Sequence, residues 1–239
     1  MHTEVYGDAT RYRPLYALVV YGSDSNNGNS SFLTTHKIEQ TSDGLAMGPG
    51  VLADKAALKN LVKKLNPKAK SKPELLHPRT LAKGDGYHVW WLPPGNRRVW
   101  LNCEEIGKRN GVTPHPGLVF AVSNEGWKVY AVKGKDRPTA DSELYVAPYL
   151  NVWQGGGICA GTANTPKGKA ALQPEAWEGP FFESEFTHTN YHGTKCTSYK
   201  GGIYALWQSL LDGAYKKFPE RTLVPHGFSL NALLDRMDK

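Results

Sequence analysis

Apolar residues recur along this chain with two different periods. Leu15 to Tyr21 is an unbroken apolar run and reads as a buried strand. After a polar loop from Gly22 to Ser30, Phe32 to Gln40 reads as a second strand, ending in a turn at Ser42-Asp43-Gly44. The period then changes. Across Val51 to Leu65, Leu58, Leu61, Val62 and Leu65 fall at i, i+3, i+4 and i+7, the stripe of an amphipathic helix, with Asp54 near its start. The first stretch therefore predicts a small strand-strand-helix unit. Asn66 to Pro73 is almost free of apolar residues and bracketed by prolines, so a linker is expected there. This sets one unit at residues 1–70 and a second at 74–239.

In the second unit, Tyr87 to Leu92 and Arg98 to Cys103 flank a Pro93-Pro94-Gly95 turn and read as a hairpin. Gly111 to Gly117 is turn-rich. Leu118 to Val122 and Lys128 to Val132, joined by Ser123-Asn124-Glu125-Gly126-Trp127, form the clearest hairpin pattern of the chain. Leu144 to Val152 predicts one more strand. Gly161 to Pro180 is loop-like with room for short helical turns, and Phe181 to Phe186 starts either a helix or a short strand. From Gly201 onward Ile203, Leu206, Trp207, Leu210, Ala214 and Phe218 keep helical spacing. Ser229 can cap a last helix carrying Leu230, Leu233 and Leu234. Strands first and helices last predict an α+β fold, an antiparallel meander sheet followed by helices.

Composition narrows the class. The 239 residues are 40% hydrophobic, with 12 Tyr, 7 Trp and 7 Phe, which indicates a globular chain able to bury a core. No run approaches the ~18 apolar residues of a membrane span. The opening residues Met1 to Asp8 are polar and lack a signal-peptide pattern, so a cytoplasmic protein is expected. The net charge of +7 is modest and concentrated in the lysines from Lys55 to Lys72, which reads as a solvated face and linker. No nucleic-acid partner is expected from it. Three cysteines, Cys103, Cys159 and Cys196, are too few and too odd in number for a disulfide framework.

Candidate chemistry centres on Pro148 to Gly161. Three glycines, Gly155-Gly156-Gly157, interrupt regular structure just before Ile158-Cys159, and a cysteine presented on such a turn is a candidate nucleophile. The alternative is a small buried hydrophobe, the commoner fate of free cysteine. Asn151, eight residues earlier, could hold the loop or stabilise an oxyanion. Downstream, His188, His192 and Cys196 share a four-residue spacing. They could be metal ligands with Cys159 or Cys103, although no paired Cys-x-x-Cys accompanies them. Alternatively His188 or His192 could serve Cys159 as a base, with Asn190 as its orienter. Phosphate-binding, His-Glu-x-x-His and Gly-x-Ser-x-Gly motifs are absent.

Asn151-Val152, then Gly156, then Ile158-Cys159 resembles the active-site stretch of ubiquitin-conjugating enzymes, which carry His-Pro-Asn, a glycine, and a β-branched residue before the catalytic cysteine. Tyr149-Leu150 stands where His-Pro would be, and Ala160 where leucine is frequent. A longer series is similar to the bacterial group called PRTRC system protein B, a prokaryotic ubiquitin-conjugating-like family. It runs through Leu118-Val119-Phe120, Tyr130-Ala131-Val132-Lys133, Arg137-Pro138-Thr139, Leu144-Tyr145, Ala147-Pro148-Tyr149, Cys159-Ala160-Gly161 and Phe181 to His188. The resemblance implies a ubiquitin-conjugating-like fold and a ubiquitin-like protein carried as a thioester on Cys159. It implies catalytic support from Asn151 and His188, with His188 favoured over His192, and no cofactor in this chain. Implied partners are the ubiquitin-like protein, a ThiF-like activating enzyme and a JAB-type metalloprotease. A catalytically inactive binding module on the same fold, with Cys159 buried, is the alternative.

Overall fold

The structure is a computed structural model that describes residues 6–7, 10–11, 13–22, 31–65, 75–84, 86–124, 126–161, 164–167, 173–191 and 195–237. The linker at Asn66 to Pro73, most of the Gly22 to Ser30 loop, and His192 lie outside the described residues. The chain divides into two compact units, Met1–Glu74 and Leu75–Lys239.

The first unit holds two short paired strands, β1 (Tyr6–Gly7) and β2 (Thr10–Arg11), and an antiparallel sheet of β3 (Tyr16–Gly22), β4 (Ser31–Thr41) and β5 (Gly44–Leu52), followed by helix α1 (Lys55–Leu65). The expected strand-strand-helix is thus corrected to three strands and a helix. β5 contains Gly48-Pro49-Gly50, which reads as turn chemistry. It lies at the edge of the sheet, where proline is tolerated because its missing N–H need not face a neighbour. The helix begins at Lys55 rather than Val51, because Val51 and Leu52 pair with Thr35 and Thr34.

In the second unit β6 (Thr80–Gly84), β7 (Tyr87–Leu92), β8 (Gly95–Cys103), β9 (Gly107–His115), β10 (Gly117–Ser123), β11 (Gly126–Val132) and β12 (Glu143–Val146) precede α2 (Pro174–Phe182). β13 (Glu185–Phe186), α3 (Gly202–Leu211), β14 (Pro225–Ser229) and α4 (Leu230–Met237) follow. Six strands form one antiparallel sheet in the order β14-β12-β11-β10-β7-β6, and β13-β8-β9 form a second. The β10–β11 hairpin is present in full, from Gly117–Val132 to Ser123–Gly126.

Three expectations are corrected. β7 and β8 are not a hairpin: β7 pairs with β10 and β6, whereas β8 pairs with β9 and, in parallel, with β13. Pro93-Pro94 supplies no backbone donors for a ladder, and there the chain crosses from one sheet to the other. The glycines and Pro114 of Gly111 to Gly117 suggested turns, yet Gly111 to His115 belong to β9. The strand expected over Leu144 to Val152 ends at Val146. The single meander followed by helices is accordingly two sheets, with β13 and β14 interleaved among the helices.

Strand alternation sends side chains to both faces of the larger sheet. Trp90, Leu118, Phe120, Val129 and Ala131 join Val99 and Leu101 of the smaller sheet, Trp177 and Phe181 of α2, and Ile203, Leu206, Trp207 and Leu210 of α3. Val89, Val119, Ala121, Tyr130 and Leu144 face Leu230 and Leu233 of α4. A sheet covered on both faces explains why its central strands read as continuous apolar runs. Arg79 reaches Glu175 and Glu178 at 2.5 Å each, and the Trp90 indole donates to Glu178 at 2.9 Å, tying α2 to the sheet.

Candidate active site

The chain leaves the sheet after Val146, loops, and returns to the same ladder. The Val129 N–H donates to the Gly156 carbonyl and the Ile158 N–H to the Trp127 carbonyl, each at 2.8 Å, so residues 156–158 extend along the outer side of β11. Val152 and Ile158 face each other as an antiparallel bridge, closed by Trp153 N–H to Gly157 O at 2.7 Å. Gly156 has φ +84°, and a Cβ there would sit 2.6 Å from the Tyr130 ring and 3.0 Å from the Val129 carbonyl. Glycine alone fits this close approach. The turn delivers Cys159 to the surface as an exposed free thiol, whereas Cys103 and Cys196 are buried. Burial pushes the Cys196 thiol up to about 11, away from the thiolate form.

Asn151 connects three parts of the site. It is the only non-glycine residue at positive φ among the described residues, at +59°, a conformation asparagine tolerates better than most. Its carbonyl accepts the Cys159 N–H at 2.8 Å, and its own N–H donates to the His188 carbonyl at 2.8 Å. Its side-chain amide clamps the segment after α2: Nδ2 donates to the Glu185 carbonyl at 2.9 Å. Oδ1 accepts from Thr187 N–H and Oγ1 at 3.0 Å and from His188 N–H at 3.3 Å. The Thr187 hydroxyl proton is thereby used, so its oxygen accepts from His188 Nδ1–H at 2.8 Å. This tautomer leaves Nε2 of the exposed His188 as the basic ring nitrogen.

The structure therefore brings Cys159, Asn151 and His188 together through main-chain bonds. The suggested metal set includes His192, which lies outside the described residues. No group of three His, Cys, Asp or Glu side chains among the described residues could hold a metal ion. Asn190, the suggested orienter, is buried and bridges Trp153 in parallel, with its Nδ2 unpartnered.

Tyr149 and Leu150, which displace the His-Pro pair, are fully buried. The Tyr149 ring packs against Phe181, Phe186 and Trp207, and the Trp207 indole donates to the Pro148 carbonyl at 2.8 Å. The Tyr149 hydroxyl meets Nδ1 of buried His115 at 2.7 Å. His115 Nε2 lies 3.1 Å from the Arg97 carbonyl, which can only accept, so Nε2 carries the hydrogen and Nδ1 accepts from the tyrosine. Burial, assisted by the Arg97 charge, drives the His115 pKa down to about 3 and keeps the ring neutral. Burial likewise raises the Tyr149 pKa, outweighing the opposing pull of Arg97. This His115–Tyr149 anchor was missed in the sequence. A tyrosine in the loop and a histidine 34 residues earlier carry no spacing signal.

Residues 57–226 match prokaryotic E2 family D, and the chain belongs to that family. The match spans α3, most of α1, and every residue of the site just described. Membership points to a ubiquitin-conjugating-like function and, in general, to a ubiquitin-like protein and its activating enzyme as partners. No curated protein and no solved structure matches the chain. Among the described residues no helix is long and apolar enough to cross a membrane.

Proposed function

We propose that this chain is a bacterial conjugating enzyme, an acyltransferase that carries a ubiquitin-like protein as a thioester on Cys159 and passes it to an amine. One arrangement supports the reading: an exposed thiol whose backbone hangs on Asn151, itself hydrogen-bonded to His188. The Cys159 thiolate attacks the thioester carbonyl of the modifier held by a ThiF-like activating enzyme. The new C–S bond forms as that enzyme's thiolate departs. ATP is consumed by the activating enzyme, so this chain needs no cofactor.

An incoming amine then attacks the Cys159 thioester. His188 Nε2 accepts the proton the amine loses, and the Cys159 thiolate leaves. Asn151 acts first as a positioning residue. One Nδ2 hydrogen is committed to Glu185, and the second is available to the oxyanion. The order of short motifs from Leu118 to His188 supports placement in the PRTRC system B group, with a JAB-type metalloprotease as the partner that would reverse conjugation. The inactive-module alternative requires a buried Cys159, whereas the thiol is exposed.

The test is incubation of the full chain with a cognate activating enzyme, modifier and ATP. A thiol-sensitive adduct is expected, converted by Cys159→Ser into a thiol-resistant ester. Absence of any adduct sinks the proposal.

A further inference from the structure

Strand β3 of the first unit is an edge: within the described residues its sheet runs β3-β4-β5, and no strand pairs with its outer side. Its sequence, Tyr-Ala-Leu-Val-Val-Tyr-Gly, has no charge and no proline. The opposite edge, β5, carries Gly48-Pro49-Gly50 and a register shift between His36 and Ile38. Proline, charge and irregular pairing are the means by which sheets protect their edges, and β3 has none of them.

The direction of its free backbone groups follows from the ladder. The Ile38 N–H donates to the Leu15 carbonyl, and Tyr16 stands opposite Lys37, so Leu15 and Ile38 form a hydrogen-bonded pair. In an antiparallel ladder such pairs alternate with non-bonded ones. Ala17, Val19 and Tyr21 therefore bond inward to β4, and the N–H and C=O groups of Tyr16, Leu18 and Val20 point outward. The far side of β4 is consistent: the Ala53 N–H donates to the Leu33 carbonyl, so odd-numbered residues there bond toward β5. Tyr16, Leu18 and Val20 also share one face of the sheet, and their side chains are 53%, 48% and 67% exposed.

Among the described residues, unpaired main chain and exposed apolar side chains thus fall on the same three residues, symmetric about Leu18. We propose that β3 pairs antiparallel with β3 of a second copy of this chain, across a two-fold axis at Leu18, to form one continuous six-stranded sheet. Leu18 lies opposite Leu18, and Tyr16 of each copy lies opposite Val20 of the other. This is an aromatic–β-branched pair of the kind that stabilises sheets. The register makes about six main-chain hydrogen bonds. The contact is isologous, so it consumes both bare edges and closes at two copies.

The test is sedimentation velocity of the full chain at micromolar concentration. The wild type sediments as a dimer. Leu18→Lys sets two like charges directly opposite and weakens the dimer by about tenfold or more, with an unchanged circular dichroism spectrum. Val51 lies on the same face but on the far strand, 65% exposed, so Val51→Lys leaves the dimer intact; its dissociation would instead indicate face-to-face packing. Leu18→Cys in a Cys159→Ala background is captured as a covalent dimer by a short bis-maleimide. A monomeric wild type, a Leu18→Lys protein as dimeric as the parent, or dissociation by Val51→Lys each overturns the proposal.

Discussion

Replacing Asn151 separates its backbone conformation from its side-chain bonds. Asn151→Ala removes the Nδ2 bond to the Glu185 carbonyl and the acceptor of the Thr187 and His188 N–H groups. The Thr187 hydroxyl loses its acceptor too, but it can donate to Nδ1 once the His188 proton shifts to Nε2, so that loss is partly recovered. The lost amide bond is worth about 1 kcal/mol, and the half-buried Thr187 N–H left unpaired about 1–2 kcal/mol more. An alanine held at φ +59° adds roughly 1 kcal/mol. The sum is about 3–4 kcal/mol. Asn151→Gly loses the same bonds but adopts the positive φ without strain, so it should be milder than alanine by about 1 kcal/mol even though glycine is usually the more destabilising residue. Urea unfolding ranks the two variants, and hydrogen exchange reads the Thr187 and His188 amides, whose protection should fall in both. If Asn151→Ala costs less than about 1 kcal/mol, or Asn151→Gly is the worse of the two, the clamp is not what holds this loop.

Three further outcomes follow from neighbouring groups. Tyr149→Phe strands His115 Nδ1 in the core and should lower the urea midpoint by the equivalent of about 1–3 kcal/mol at constant m-value; an unchanged midpoint contradicts the anchor. The His115 pKa of about 3 lies below the ordinary value of 6.5, so the unfolded chain takes up a proton that the folded chain refuses. Its contribution is fully present above pH ~6.5 and declines by up to ~1.4 kcal/mol per pH unit as pH falls, roughly 4–5 kcal/mol in all by about pH 3. His115→Gln keeps a donor for Arg97 and an acceptor for Tyr149 without titrating, so it should flatten the stability profile below pH ~6; an unaltered slope assigns the acid sensitivity elsewhere. Gly156→Ala forces a methyl into the Tyr130 ring at positive φ and should cost about 2–4 kcal/mol by urea unfolding, and a neutral result refutes the close approach.

Elements with local signals were legible in the sequence. The β10–β11 hairpin has two short apolar runs around a polar glycine-containing turn. Helix α3 shows its stripe through Ile203, Leu206, Trp207 and Leu210, although it stops at Leu211. Gly213, at φ +76°, supplies the left-handed residue that ends such helices, so Ala214 and Phe218 lie beyond it. Ser229 lies 3.4 Å from the Ala232 N–H at the start of α4, as a capping residue would. Elements defined by distant partners were not legible. The glycines and prolines of β5 and β9 look like turns until their neighbours are known, and the crossing at Pro93-Pro94 looks like a hairpin until β7 is seen beside β10. The site divides in the same way. The Asn151 to Cys159 interval is local, and the short turn between them makes it readable. The clamp on Glu185, Thr187 and His188 joins residues 34 to 37 positions apart through main-chain atoms, for which side-chain identity gives no pattern.

Peptide mapping tests the proposed thioester on the Cys159 sulfur directly. The full chain is incubated with the cognate activating enzyme, modifier and ATP, quenched in acid without thiols, and digested for mass spectrometry. The modifier's C-terminal acyl group is predicted on the Cys159 peptide. It should be released by added thiol, absent from Cys159→Ala, and retained when Cys103 or Cys196 is replaced by alanine. Failure to find it there, or an undiminished thioester in Cys159→Ala, contradicts the account.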